Sequence, residues 1–149
     1  MISIVPASPA HVGVIANRMR DCDVRECAAL GHSPKGALRH GLKVGYEVWT
    51  ARHDGRPEAM FGLTVTSALG GEAIPWMLGT DEIYRHPREM IRWGESLVKR
   101  WLDSFPHLEN LVSVENAAAI RMLRRWGFTI GKDVIASGGV DFVPFTMER

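Results

Sequence analysis

The sequence predicts an α/β (α+β) fold in which a mixed, mostly antiparallel central sheet is flanked by helices, in the order β-α-α-β-β-β-α-β-α-β-β. Three stretches carry the prediction. The first, Leu111 to Phe128, begins as a β-branched run, turns at Glu115-Asn116, continues with Ala119, Ile120 and Leu123 at helical spacing, and stops at Gly127. Asn is a preferred helix N-cap and Gly a common helix end, so this is strand, helix and strand start in one segment. The second is a hairpin: Tyr46, Val48 and Thr50 alternate with Glu47, Trp49 and Ala51 ahead of a tight-turn Asp54-Gly55 dipeptide. In the third, Pro87 opens an amphipathic run to about residue 103, with Met90, Trp93, Leu97 and Trp101 on one face.

In chain order, Ile2 to Val5 is a strand ended by Pro6. Ser8-Pro9 supplies an N-cap followed by proline at the first helical position, and Val12, Ile15, Ala16 and Met19 extend a helix over roughly 9–20. A second helical piece covers about 21–30, with Cys22, Cys27 and Leu30 as apolar positions and Gly31 as its stop. Ser33-Pro34 repeats the cap-plus-proline signal and opens a short turn or helix to about His40. The hairpin returns over Glu58 to Thr66 through Met60, Phe61, Leu63 and Val65. Gly70-Gly71 breaks the chain, and Ala73 to Leu78 is a strand in which Pro75 predicts an edge position or a bulge. Pro106 separates the long helix from a strand at about 108–114. A closing hairpin spans about 128–135, a turn at Ser137-Gly138-Gly139, and Val140 to Met147. There is no internal repeat, linker or low-complexity segment, so residues 1–149 are expected to form one domain.

The totals exclude several function classes. Eighteen basic and 17 acidic residues leave a net charge of +1, so no global field draws the chain to nucleic acid or a membrane. No apolar run approaches spanning length, and Met-Ile-Ser-Ile-Val-Pro lacks the charged start and apolar core of a signal peptide. The two cysteines, Cys22 and Cys27, lie five apart and match no zinc pattern; reduced, buried thiols and a cytoplasmic setting are expected. The six histidines (11, 32, 40, 53, 86 and 107) are scattered with no His-x-x-x-His helix pair, so no metal site is expected. Of the tryptophans, Trp93 and Trp101 have core spacing, Trp49 and Trp76 are placed to line a groove between sheet and helices, and Trp126 at its helix end is expected at an interface.

The element order, with Asn116-x-x-Ala119-Ile120-x-Met122-x-x-x-x-Gly127-Phe128, resembles the GNAT superfamily of acetyl-CoA-dependent N-acetyltransferases. The resemblance implies acetyl-CoA as cofactor, an amine as acceptor, and a pantetheine arm lying between two splayed parallel strands. It places the diphosphate at the loop entering the third family helix, here Tyr84-Arg85-His86-Pro87-Arg88-Glu89-Met90. The family loop offers glycine N–H groups to the phosphates. Here Arg88 and Met90 replace the glycines and Pro87 removes a donor. Arg85, Arg88 and Arg92 are therefore the phosphate-binding candidates by side chain, with Asn116 on the cofactor side. The other reading of these arginines is a solvated basic face balanced by Glu89 and Glu95. The family's proton-donating tyrosine falls on Leu123. General bases are sought among Glu47, Glu72, Asp81 and Glu82, with Glu72 at a strand start and Asp81 after that strand's end as the leading pair; Thr80-Asp81 equally suits a turn cap.

A narrower likeness involves Trp76-x-x-Gly79-Thr80-Asp81-x-Ile83, the basic amphipathic helix, Asn116 to Gly127, and Phe142 to Thr146. These resemble the GNAT-like proteins of short-tailed phages, described as internal virion or assembly proteins. This likeness implies a degenerate or weakly active acetyltransferase homologue in the bacterial host cytoplasm or the virion, partnered by phage structural proteins or by itself. The other implied function is an active N-acetyltransferase. Arg121, Arg124 and Arg125, beside Lys132, form a basic patch suited to the nucleotide end of coenzyme A, to solvent, or to an acidic partner.

Overall fold

A computed structural model describes residues 1–149. Its strands are β1 (Ile2–Pro6), β2 (Glu47–His53), β3 (Arg56–Ser67), β4 (Glu72–Gly79), β5 (His107–Ser113), β6 (Thr129–Ile130), β7 (Ile135–Ser137) and β8 (Val140–Glu148). Its helices are α1 (Pro9–Ala16), α2 (Asp21–Ala29), α3 (Pro34–Val44), α4 (Pro87–Ser104) and α5 (Ala117–Arg125), with a 3₁₀ turn over Asp81–Arg85. One sheet runs in the order β1-β2-β3-β4-β5-β8-β6, and β7 adds to β8. Every pairing is antiparallel except β4 with β5.

The alternation of β3 sorts the helices into two layers. Met60 packs with Val12, Ile15, Cys27 and Leu38, so α1, α2 and α3 cover one face. Its neighbours Ala59 and Phe61 pack with Met90 and Met122, and Leu63 with Val98, Trp101 and Leu123, so α4 and α5 cover the other. The predicted caps close their helices. Ser8 accepts the Ala10 N–H at 3.2 Å, Ser33 the Gly36 N–H at 3.0 Å, and Asn116 the Ala119 N–H at 3.3 Å. Asp54 (φ 49°) and Gly55 (φ 84°) form the left-handed hairpin turn.

Several expectations change. The first helix ends at Ala16 because Met19 leaves it to bridge Thr80, and the piece after Ser33 is a full helix to Val44. Pro75 sits at neither an edge nor a bulge: β4 lies between β3 and β5. Pro75's carbonyl faces β5, where it accepts from Asn110 Nδ2 at 2.8 Å. A strand residue points its N–H and C=O the same way, so the missing donor faces a gap between β4 and β5 and costs no ladder bond. Pro144 in β8 explains the closing hairpin likewise. Its carbonyl takes the Gly131 N–H at 2.7 Å, its absent N–H interrupts that edge, and the expected 128–135 strand splits into β6 and β7.

Trp126 is partly exposed and acts as a wedge between α4 and α5. Its indole N–H donates to the Met90 carbonyl at 3.1 Å, and its ring lies so close to Gly94 that a Cβ there would meet it at 2.1 Å. Gly94→Ala is expected to lower stability by about 1–3 kcal/mol through overpacking, and Trp126→Leu in the same chain to recover part of that loss. A double-mutant cycle by thermal or urea unfolding reads the coupling; independent, additive losses would refute the wedge.

Candidate functional site

The site begins where two central strands separate. β4 and β5 pair only at Glu72↔His107 and Ala73↔Leu108, then diverge. A cavity of about 230 Å³ opens in the gap. Trp76, Met77 and Leu78 of β4 and Asn110, Leu111 and Val112 of β5 form its walls, closed by α2 and α3 on one side and α5 on the other. Gly41 lets Trp76 lie against α3: a Cβ there would meet the indole at 2.5 Å. A mostly apolar slot with a few polar groups at one end suits an extended ligand of mixed polarity.

The polar end is built around Arg20, which is 8% exposed. Its guanidinium donates to Asp23 Oδ1 at 3.0 Å and to Asn116 Oδ1 at 3.1 Å, and lies 4.1 Å from the centre of the Tyr84 ring. Asp23 Oδ2 accepts the Gly79 N–H at 2.9 Å. Asn116 Nδ2 donates to Glu26 Oε1 at 3.0 Å, which also accepts the Ser113 N–H at 3.1 Å. The network thus joins α2 to the ends of both diverging strands. Burial pushes Asp23 up to about 7, against the opposing pull of Arg20 and the Gly79 N–H. Burial likewise raises the Tyr84 phenol, which stays protonated through the neutral range, and pushes the Cys27 thiol up to about 12. Cys27 is buried and Cys22 partly so, both unpaired.

A second buried carboxylate, Glu58, anchors the neighbouring strand end. It accepts from Thr80 Oγ1 at 2.6 Å and faces Arg18 and Arg56 at 2.8 Å each. Burial raises its pKa, but the Thr80, Arg18 and Arg56 hydrogen bonds outweigh this and hold it below the ordinary carboxylate value. Thr80's hydroxyl is therefore spent on Glu58, leaving the 3₁₀ turn without a side-chain cap.

The sequence candidates separate. Asn116 is buried and lines the cavity. Asp81 is exposed, 3.7 Å from Arg20 Nε, and does not line the cavity. Glu72 is exposed at the joined end of β4 and β5, away from the cavity lining. Arg85 is held by Glu82 at 2.6 Å. Arg88 and Arg92 are exposed without an ion pair, and Glu89 accepts the Ile2 N–H at 2.7 Å. Glu47 braces α4 through Arg100 at 2.7 Å and the Trp101 indole. Leu123 lines the cavity from α5. Sequence reasoning passed over Arg20, Asp23, Glu26 and Tyr84. The available signal was Asp23 four residues before Cys27, a charge on the buried face of a helix.

No protein-family model matches the chain, and no curated protein is detectably similar in sequence. Solved structures do match. The ribosomal-protein-S18-alanine N-acetyltransferase from Escherichia coli superposes with a TM-score of 0.69 at 17% identity, over 99% of this chain and 94% of that one. An aminoglycoside acetyltransferase in complex with coenzyme A gives 0.69 at 12% identity, over 100% and 95%. The ribosomal L7/L12 α-N-protein acetyltransferase, also with coenzyme A, gives 0.67 at 12% identity, over 99% and 93%. The fold is that of the GNAT N-acetyltransferases.

Asp23 has a folded pKa above its ordinary 3.8, so its stabilising contribution is complete below that value and is lost as pH rises through about 7. Asp23→Asn is expected to flatten the fall in unfolding free energy between about pH 4 and 7, measured by urea denaturation. An unchanged slope would place the titration elsewhere.

Proposed function

We propose that the chain is a weakly active acetyltransferase homologue that binds the acylated pantetheine arm of acetyl-CoA between β4 and β5. The observation that carries this reading is the separation of these strands after Ala73 and Leu108 over an apolar cavity with a polar end. Unpaired backbone groups along the gap suit the amides of the arm, and Asp23, Asn116 and Tyr84 meet its acyl end. In transfer, an amine nitrogen attacks the thioester carbonyl, the C–S bond breaks, one proton leaves the amine, and one reaches the thiolate. Asp23, titrating near neutrality, receives the first. Tyr84 is the hydroxyl left to supply the second in place of Leu123. A phenol raised by burial is a poor acid for a thiolate, so slow turnover is expected. Glu72 takes no part.

The diphosphate end is where this chain differs. Pro87 lacks a donor, Glu89 puts a carboxylate in the first turn of α4, and Arg85 is committed to Glu82. Arg88 and Arg92 hold phosphate by side chain alone, a screened surface contribution. The same observation favours a second reading, a GNAT-fold component of virion assembly with vestigial catalysis. In that reading the exposed Arg121, Arg124 and Arg125 dock an acidic face of a phage structural protein or of a second copy.

The binding test compares acetyl-CoA with S-acetylpantetheine, which lacks the nucleotide. Both should raise the unfolding midpoint, with affinities within roughly fivefold, about 1 kcal/mol. A far tighter acetyl-CoA complex lost on Arg88→Ala and Arg92→Ala would indicate a built phosphate site and an ordinary enzyme. No shift with either ligand would leave the assembly reading.

A further inference from the structure

Two histidines from distant segments meet at the N-terminus of α4, outside the cleft. His53 ends β2, His86 is the N-cap position of α4, and Glu82 lies in the 3₁₀ turn between them. Glu82 Oε1 is 3.4 Å from His53 Nδ1 and 3.1 Å from His86 Nε2. The rings face each other with centroids 4.2 Å apart, and one ligand atom from each residue falls within 4.8 Å of the other two. The three side chains are only 22, 16 and 21% exposed, so they converge in a recess.

We propose that His53, Glu82 and His86 form a binding site for a divalent late transition metal, of which Zn²⁺ is the reference ion. Two imidazoles and a carboxylate are the donor set that zinc takes when three protein ligands leave a fourth position to water. Metal–ligand bonds of about 2.0–2.1 Å in tetrahedral geometry place donor atoms about 3.3 Å apart. The two Glu82 distances already lie within a few tenths of that value. A metal would replace the hydrogen bond between His86 and Glu82 and the longer His53–Glu82 contact, both of which converge on one oxygen.

The surroundings support the ligands as metal sites require. Asp54 Oδ2 lies 3.5 Å from His53 Nε2, the nitrogen opposite the one facing Glu82, a charge contact that favours the proton on Nε2 and a free Nδ1. Arg85 holds Glu82 Oε2 at 2.6 Å, leaving Oε1 as the single donor. The charges facing the site are two carboxylates, Glu82 and Asp54, against the Arg85 guanidinium and the Met1 ammonium, 3.4 Å from Asp54. The sequence hid this cluster because its histidines are 33 positions apart and meet only where β2 packs against the 3₁₀ turn before α4. The inference is independent of acyl-thioester binding.

The test is titration of the tag-free full chain with Co²⁺, followed by visible absorption, and with Zn²⁺ by calorimetry. One equivalent of Co²⁺ should give the strong d–d bands of a low-coordinate site, displaced by Zn²⁺. His53→Ala, His86→Ala and Glu82→Gln should each abolish the bands, and Asp54→Asn should weaken binding roughly tenfold. His32→Ala, from the stacked His32–His40 pair, should leave it unchanged. Wild-type imidazole resonances need no variant: Zn²⁺ should shift those of His53 and His86 and spare His11, His32, His40 and His107. No saturable binding, binding that survives His86→Ala, or shifts centred on other histidines would overturn the proposal.

Discussion

The guanidinium of Arg20 is buried at the point where the two central strands part, and its partners come from three separate segments. Asp23 is on its own helix, Tyr84 lies in the turn after β4, and Asn116 caps α5 after β5. A charge removed from water is tolerated only where its hydrogen bonds are completed. Completing them fixes the spacing of α2, the end of β4 and the start of α5. Losing one partner of such a buried pair typically costs about 3–5 kcal/mol, which makes the network a determinant of geometry as well as of charge. The gap between β4 and β5 has a defined width because its polar end is tied on both sides.

The strands themselves supply the rest. Pro75 turns its donor-less nitrogen into the gap, so β4 can leave β5 without orphaning an N–H there. Gly41 and Gly62 make room for Trp76, whose ring forms one wall. Across the sheet, Trp126 fills the angle between α4 and α5 against Gly94. The cleft is therefore closely packed on both faces, while the N-terminus of α4 is occupied by carboxylates, imidazoles and a proline. The fold is shared with acetyltransferases solved in complex with coenzyme A.

Local signals in the sequence reached the helices, their caps and the order of the strands. Ser8, Ser33, Asn116 and Gly127 act through near neighbours, so their roles are readable from spacing. The prolines were harder. Pro75 and Pro144 interrupt pairing only on the side their nitrogen faces, and that side depends on which strand lies beyond. The site was legible in part. Asn116 was found because it also caps a helix, and Leu123 because it occupies a motif position. Arg20, Asp23, Glu26 and Tyr84 resembled an ordinary charged helix and a loop aromatic until the fold brought them together. His53 and His86 were hidden by sequence separation.

The central claim is that the gap between β4 and β5 is a working binding cleft held open by the Arg20 network. Intermolecular NOEs from the acetyl methyl of bound S-acetylpantetheine test it most directly. The account predicts contacts to Met77 and Leu78 on β4 and to Leu111 and Val112 on β5. Contacts confined to the outer faces of α4 and α5, or none at saturating ligand, would contradict it.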